Sequence, residues 1–133
     1  AMTERMLNAV GHPYADVVGH PTGRLLLSRP ESGVDVLALV RACADHGSAL
    51  ELNCNPQRLD LSAEHLALAK EHGVLVSISA DAHAPAEFAN LEHGIALARR
   101  AGLTPDDVLN ARPLNDLLAW TRDRRAAALS SGV

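Results

Sequence analysis

The sequence predicts an α/β fold in which parallel strands alternate with helices. Short apolar runs alternate with segments whose apolar residues recur at helical spacing, and the connections between them are short. Parallel strands need such helical crossovers, whereas antiparallel hairpins do not. The chain has only one Trp, one Tyr and one Phe, so its core must be aliphatic and closely packed. We therefore expect repeated βα units around a sheet of parallel strands.

Each element is bounded by residues typical of helix or strand ends. Thr3 caps a first helix that Gly11 ends, and Gly47 closes the next amphipathic segment. Ser62 caps a third helix that Gly73 terminates. The predicted helices of this part of the chain are 3–10, 34–46 and 62–72, and the predicted strands are 16–19, 49–53 and 74–79.

The rest of the chain is predicted to be helical. Pro85 opens a helix that Gly102 stops, and Thr104 with Pro105 forms a strong helix start. Pro113 opens a last helix, whose basic tail suits the helix dipole. The helices are placed at 85–101 and 114–129, and residues 129–133 are expected to fray. The 133 residues are expected to form a single domain. A closed eight-stranded α/β barrel needs about 250 residues, so the chain would hold roughly half of one.

Charge and composition exclude several classes of function. The net charge of −4 disfavours a dedicated nucleic-acid-binding module, and the scarcity of aromatics disfavours a stacking platform for single strands. Two cysteines without a pairing pattern fit a reducing compartment, and Cys54 is expected to be a packed residue rather than a nucleophile. No apolar run of membrane-spanning length is present. We expect a soluble, cytoplasmic protein without membrane partners.

Polar residues follow each predicted strand. His20 follows the first, Asn53 the second, and Asp81 with His83 the third. Because ligands bind at the carboxyl ends of parallel strands, these residues are candidates for one site. Imidazole with carboxylate suits Zn²⁺, Mn²⁺ or Fe²⁺, and Arg24 could bind a phosphate through its forked guanidinium.

Each candidate also has a structural interpretation. A histidine at a strand end can be an ordinary hydrogen-bonded loop residue, and Asp81 can cap the helix that follows it. Asn53 lies close to Pro56, where turn chemistry explains an asparagine equally well. Arg24 can be a surface residue. The spacing alone leaves a metal site and these structural roles open.

Five ordered motifs follow one another along the chain. They are Val-Gly-His-Pro-Thr-Gly-Arg at 18–24, Leu-Glu-Leu-Asn-Cys-Asn-Pro at 50–56, Arg-Leu-Asp-Leu at 58–61, Ser-Ile-Ser-Ala-Asp-Ala-His at 77–83 and Asp-Val-Leu-Asn-Ala-Arg-Pro-Leu at 107–114. These motifs resemble the PHP (polymerase and histidinol phosphatase) family, most closely the PHP domain at the C-terminus of bacterial family X DNA polymerases. The resemblance extends from about Thr3 to Trp120.

The resemblance implies about half of a distorted (β/α)7 barrel and a metal-dependent phosphoesterase that uses Mn²⁺ or Zn²⁺. His20, Asp81 and His83 match metal ligands of the family, Asn53 matches an asparagine beside the ligands, and Arg24 lies in the loop associated with the substrate phosphate. In family X polymerases the domain is associated with 3′–5′ exonuclease and DNA end-processing activity. The implied partners are therefore DNA 3′ ends or another phosphoester substrate.

The family's first-strand His-x-His motif and its ligands from intermediate strands have no counterpart in this chain. We therefore expect a C-terminal part of the domain that is inactive alone, and whether it is itself an enzyme stays open. Two alternatives remain. The chain could belong to a phosphatase acting on a small phosphomonoester such as histidinol phosphate. It could also be a noncatalytic module that self-associates or docks a partner through unpaired edges of the half-barrel.

Overall fold

A three-stranded parallel sheet forms the centre of the chain. The computed structural model describes residues 1–131. The strands β1 (Val17–Val18), β2 (Ala49–Asn53) and β3 (Val76–Ser79) lie in the order β1-β2-β3, with parallel pairing throughout. Because helices connect the successive strands, the expected α/β class with parallel βα repeats is confirmed.

Five α-helices accompany the sheet within residues 1–131. The expected cap Thr3 is wrong, because the first helix begins at Met2 without a side-chain cap and Thr3 lies inside it. The side chain of Asp35 accepts the Ala38 N–H at the start of the second helix, and Ser62 caps the third in the same way. No helix within residues 1–131 is both long and apolar enough to cross a membrane. The helices are α1 (Met2–Val10), α2 (Val36–His46), α3 (Ala63–Glu71), α4 (Leu91–Arg100) and α5 (Leu114–Ser130).

The hydrophobic core lies on one face of the sheet. Leu50, Leu52 and Val76 are fully buried in the cluster to which the helices contribute. Successive side chains of a strand point to opposite faces. Glu51 and its neighbour Ser77 across the β2–β3 pair therefore lie on the other face, where both are only partly covered. That second face therefore carries polar side chains at these positions.

The predicted helix 85–101 is wrong in its first part. Residues Pro85–Asn90 form a 3₁₀ helix, and α4 begins only at Leu91. No side chain of Pro85–Asn90 is buried, whereas Gly94 and Ala98 of α4 are. Most helical stability in proteins comes from packing an apolar face, so the α-geometry begins where packing begins. The helix start at Thr104 likewise produces only one 3₁₀ turn, Pro105–Asp107.

The outer edge of β3 is covered by the chain that follows α4. The side-chain amide of Asn110 accepts the Ile78 N–H at 3.0 Å and donates to the Ile78 carbonyl at 2.7 Å, as a neighbouring strand would. Burial raises the pKa of Asp107, but hydrogen bonds from Thr104 and Lys70 outweigh it and hold the pKa below its ordinary value of 3.8. This polar segment protects an edge that could otherwise pair with another chain.

The basic tail of α5 has a tertiary role beyond complementing the helix dipole. Arg124 is almost completely buried and its Nε donates to Asp16 at 2.9 Å, while Arg125 contacts the same carboxylate at 2.8 Å. The two arginines thereby fix α5 beside the start of β1. Fraying was expected over 129–133, but α5 continues through Ser130, and residues 132–133 lie outside the described part of the chain.

Candidate functional site

The structure brings the predicted site residues to the same edge of the sheet. His20 lies just beyond β1, Asn53 ends β2, and Asp81 with His83 follows β3. Because the strands are parallel and adjacent, their carboxyl ends face the same side. The sequence prediction that three successive strands deliver polar groups to one edge therefore agrees with the topology. How these residues are connected depends on contacts that the strand order alone does not show.

His83 is an exposed histidine whose ring nitrogen Nδ1 faces a backbone carbonyl. Its Nδ1 lies 2.9 Å from the Asp81 carbonyl oxygen, and its backbone N–H donates to Oε2 of Glu87 at 2.5 Å. When Nδ1 donates its proton to a carbonyl, Nε2 keeps a free lone pair. About three quarters of the His83 side chain is exposed, so this lone pair is available to a ligand. The donor chemistry thus fits Mn²⁺ or Zn²⁺.

Asp81 presents a carboxylate whose neighbours come from the loop after β2. Its backbone has a φ of +53°, a left-handed conformation that few residues other than glycine adopt. Nδ2 of Asn55 lies 3.5 Å from Oδ2 of Asp81, and Nε of Arg58 lies 4.0 Å from the same oxygen. The buried side chain of Asn53 accepts the Asn55 N–H at 3.0 Å. Asn53 therefore positions Asn55, which contacts Asp81.

His20 is held by a carboxylate that the sequence analysis did not select. The backbone N–H of His20 donates to Oε2 of Glu51 at 2.6 Å, and the imidazole itself is exposed. Glu51 is the single charged residue of β2, lying between the buried Leu50 and Leu52. A charged residue inside an apolar strand was the available signal, because such a group needs a partner.

Asp60 organises the loop that carries His20. Its carboxylate is completely buried and accepts from three donors: the Thr22 hydroxyl at 2.9 Å, the Gly23 N–H at 2.9 Å, and the Thr22 N–H, which lies 3.2 Å from both oxygens. A buried carboxylate is tolerated only with such a set of donors. Sequence analysis missed this role, because Asp60 lies 38 residues from Thr22 in the chain.

Arg24 is engaged by the protein's own backbone. Its Nε donates to the Arg58 carbonyl at 2.9 Å and its Nη2 donates to the Leu59 carbonyl, while Nη1 lies 3.8 Å from Glu31. The side chain is about four-fifths buried. Arg24 therefore joins the loop after β1 to the loop after β2. Its predicted contact with a phosphate stays a prediction.

The ligand assignment is only partly reflected in the geometry. Within residues 1–131, no three His, Cys, Asp or Glu side chains lie close enough together to hold a metal ion. The assignment of His20, Asp81 and His83 as metal ligands stays a prediction.

Burial, with a smaller contribution from the charge of Glu51, raises the pKa of the Cys54 thiol to about 11. Cys54 is therefore a packed residue, as expected, and not an activated nucleophile.

Comparison with known proteins identifies a DNA polymerase/3′-5′ exonuclease and several probable phosphatases as relatives. No protein-family model matches the chain. The chain is 38% identical over 119 residues to the DNA polymerase/3′-5′ exonuclease PolX of Bacillus subtilis, covering 90% of this chain and 21% of the polymerase. It is 30% identical over 114 residues to a probable phosphatase of a Thermoanaerobacter species, covering 81% of this chain and 44% of that protein. A probable phosphatase of Edwardsiella ictaluri is 31% identical over 117 residues, or 84% of this chain and 45% of the relative.

These relatives share most of this chain, but the chain spans only about a fifth of the polymerase and less than half of each phosphatase. The similarity therefore concerns a region of the relatives and not their full length. By sequence, the chain is a homologue of part of a DNA polymerase/3′-5′ exonuclease and of part of several probable phosphatases.

Proposed function

We propose that this chain is the C-terminal part of a metal-dependent phosphoesterase domain of the PHP type. The activity proposed for the intact domain is 3′–5′ exonucleolytic or end-processing cleavage of DNA. The observation that carries the proposal is the 38% identity to the polymerase/exonuclease over 90% of this chain. The alignment of polar residues at one edge of a parallel sheet supports it, since phosphoester-binding sites of α/β proteins lie there.

The chain's own residues would prepare the site in distinct ways. Asp81 and His83 present an oxygen and a nitrogen donor from one short segment, and His20 adds an exposed imidazole from the loop after β1. Bound Mn²⁺ or Zn²⁺ would lower the pKa of a water molecule and neutralise phosphoryl charge. Glu51 holds the backbone of His20, and Asn55 restrains the carboxylate of Asp81.

We infer further that the proposed metal site needs ligands from outside this chain. Metal affinity depends on the number of ligands and on the groups that orient them. Three candidate ligands that do not converge into a metal-holding group within the described residues would bind weakly. The 133-residue chain is therefore expected to be inactive alone.

Metal titration by calorimetry tests the ligand assignment. We expect weak binding of Mn²⁺ or Zn²⁺ that is at least about tenfold weaker in His83→Ala and Asp81→Asn. His72→Ala is the matched control, because Nδ1 of His72 also faces a backbone carbonyl, that of Leu68. His72 ends α3 and precedes β3, so it does not lie at the carboxyl ends of the strands. Unchanged affinity in His83→Ala would show that the assignment is wrong. Efficient cleavage of an oligonucleotide by this chain alone would contradict its incompleteness.

A second candidate function is hydrolysis of a small phosphomonoester. The similarity to probable phosphatases, at 30% and 31% identity, favours it. The intact domain would then cleave a substrate such as histidinol phosphate faster than an oligonucleotide with a free 3′ end. Comparing the two rates in one preparation distinguishes the candidates, and preference for the monoester would displace the exonuclease proposal.

Self-association stays a prediction of the half-barrel interpretation. Within residues 1–131, β1 has a strand neighbour on one side only, and Val17 is partly exposed. An unpaired strand can pair with a second copy. Light scattering checks this, and a monomer at high concentration would contradict it.

A further inference from the structure

We propose that Arg58 makes the contact with the substrate phosphoryl group that sequence analysis predicted for Arg24. This inference rests on the proposed function, because it assumes a phosphoester at the carboxyl edge of the sheet. It assigns Arg24 a different task, that of a positioning residue. The two arginines come from different loops, and their hydrogen-bond partners distinguish them.

Arg58 lies beside the residues proposed to handle the substrate. It belongs to the loop after β2, and its Nε is 4.0 Å from Oδ2 of Asp81. Asp81 in turn contacts Asn55, which Asn53 orients. A guanidinium at this place could bind a phosphoryl oxygen close to any ion that Asp81 holds. Arginine is suited to this task, since its fork of donors matches a phosphate.

One nitrogen of the Arg58 guanidinium lacks a hydrogen-bond partner within the described part of the chain. Its Nη1 is buried and makes no hydrogen bond among residues 1–131. The contact with Asp81 is at the outer limit of an ion pair, so the positive charge is only partly compensated. A buried charged donor without a partner is unfavourable, and native proteins seldom leave one without a reason. About a fifth of the Arg58 side chain is exposed, and an anionic ligand at that exposed part would compensate the remaining charge.

The backbone of Arg58 is restrained from both sides. Its N–H donates to the Asn55 carbonyl at 2.8 Å, and its carbonyl accepts from Nε of Arg24 at 2.9 Å. Arg24 also donates to the next carbonyl, that of Leu59. The donors of Arg24 are therefore used to hold the loop from which Arg58 extends. Such restraint reduces the freedom that Arg58 would lose on binding a ligand.

Binding of a phosphomonoester to the full chain tests the assignment. The probe is thymidine 5′-monophosphate in metal-free buffer, measured by calorimetry, with uncharged thymidine as the ligand control. We expect Arg58→Ala to weaken binding at least about tenfold, as for loss of a charge-assisted hydrogen bond. Arg58→Lys should restore it only in part, since lysine lacks the fork. Arg41→Ala is the matched control, because Arg41 is an exposed arginine of α2.

Thermal unfolding without ligand separates contact from positioning. Arg24→Ala should lower the unfolding midpoint, because it releases two carbonyls, whereas Arg58→Gln should leave the midpoint nearly unchanged. The inference is overturned if the wild-type chain does not bind the nucleotide, or if Arg58→Ala binds it as tightly as the wild type. It is also overturned if Arg24→Ala abolishes binding at an unchanged midpoint.

The outcomes also separate this inference from the proposed function. Arg58-dependent nucleotide binding, with no Mn²⁺ or Zn²⁺ binding in the separate metal titration, would support the phosphate contact and contradict the assignment of His20, Asp81 and His83 as metal ligands. Metal binding that depends on His83, with nucleotide binding that does not depend on Arg58, would support the metal-ligand assignment and contradict the phosphate contact of Arg58.

Discussion

Replacing Gly94 by alanine probes how closely α4 packs against the sheet. An added Cβ at this position would lie 2.0 Å from Sγ of Cys54, 3.1 Å from its Cβ and 3.6 Å from Cδ2 of Leu52. Cys54 and Leu52 are both fully buried, so neither side chain can move into solvent. The substitution therefore forces α4 away from β2.

The expected cost follows from two opposing effects. Overpacking of a well-packed core costs up to about 3 kcal/mol, and the contact with Sγ at 2.0 Å belongs at the upper end. Alanine is better than glycine within a helix by about 1 kcal/mol, which offsets part of this cost. We expect Gly94→Ala to lower the free energy of unfolding by about 2 kcal/mol. For a chain of this size the midpoint then falls by about 8 °C.

Urea and thermal unfolding followed by circular dichroism measure this effect. Gly33→Ala is the control, since an added Cβ there has no neighbour within 4 Å and should change stability by less than about 0.5 kcal/mol. Cys54→Ala removes the clashing sulfur, so Gly94→Ala should cost about 1 kcal/mol less in that background. A midpoint for Gly94→Ala at or above that of the wild type would refute the close approach of α4 to β2.

Three further predictions concern the buried carboxylate of Asp60, the hydrogen-bonded carboxylate of Asp107 and the two buried thiols. Asp60→Asn should lower the free energy of unfolding by about 2–4 kcal/mol, because one side of an amide cannot accept the hydrogen bonds that the carboxylate accepts. Asp45→Asn is the control at an exposed site, and an equal free energy of unfolding for the two variants would contradict this. Because the pKa of Asp107 is depressed in the folded chain, its contribution is present above the ordinary carboxyl pKa and is lost as pH falls through the folded pKa. The stability gap between wild type and Asp107→Asn, measured by urea unfolding, should therefore close in acid, and a gap independent of pH would contradict the shift. Burial raises the pKa of the Cys43 thiol to about 12, and burial with the charge of Glu51 raises that of Cys54 to about 11. Iodoacetamide at pH 8 should therefore label these thiols far more slowly in the native chain than in the unfolded chain. Rapid labelling of the native chain would contradict the burial of the thiols.

The order and type of the main elements could be predicted from local features of the sequence. Ser62 caps its helix because its hydroxyl oxygen accepts a hydrogen bond from the backbone N–H of His65, three residues along the chain. Gly47 ends α2 with a φ of +69°, which glycine adopts without strain. Such signals act over a few residues, so they can be read without knowing the fold. The 3₁₀ segment Pro85–Asn90 was mispredicted, because its geometry depends on the absence of packing.

The edge of the sheet that carries the candidate site could also be predicted, because parallel strands place their carboxyl ends together. The roles of Arg24 and Arg58 at this edge could not be predicted. Arg24 and Arg58 lie 34 residues apart, and only the folded chain shows that the first holds the loop of the second. From composition and spacing alone, Arg24 and Arg58 are equally possible contacts for a phosphate.

Local patterns in the sequence specify the alternation of strands and helices, caps such as Ser62 and Gly47, and the polar residues that follow each strand. The contacts of Asp60 with Thr22 and of Arg124 with Asp16 join residues 38 and 108 positions apart, and they exist only in the assembled fold. The physical reason is that secondary structure reflects hydrogen bonding and side-chain periodicity within a few residues. The partner of a buried charge, by contrast, is selected by where the whole chain leaves a complementary group.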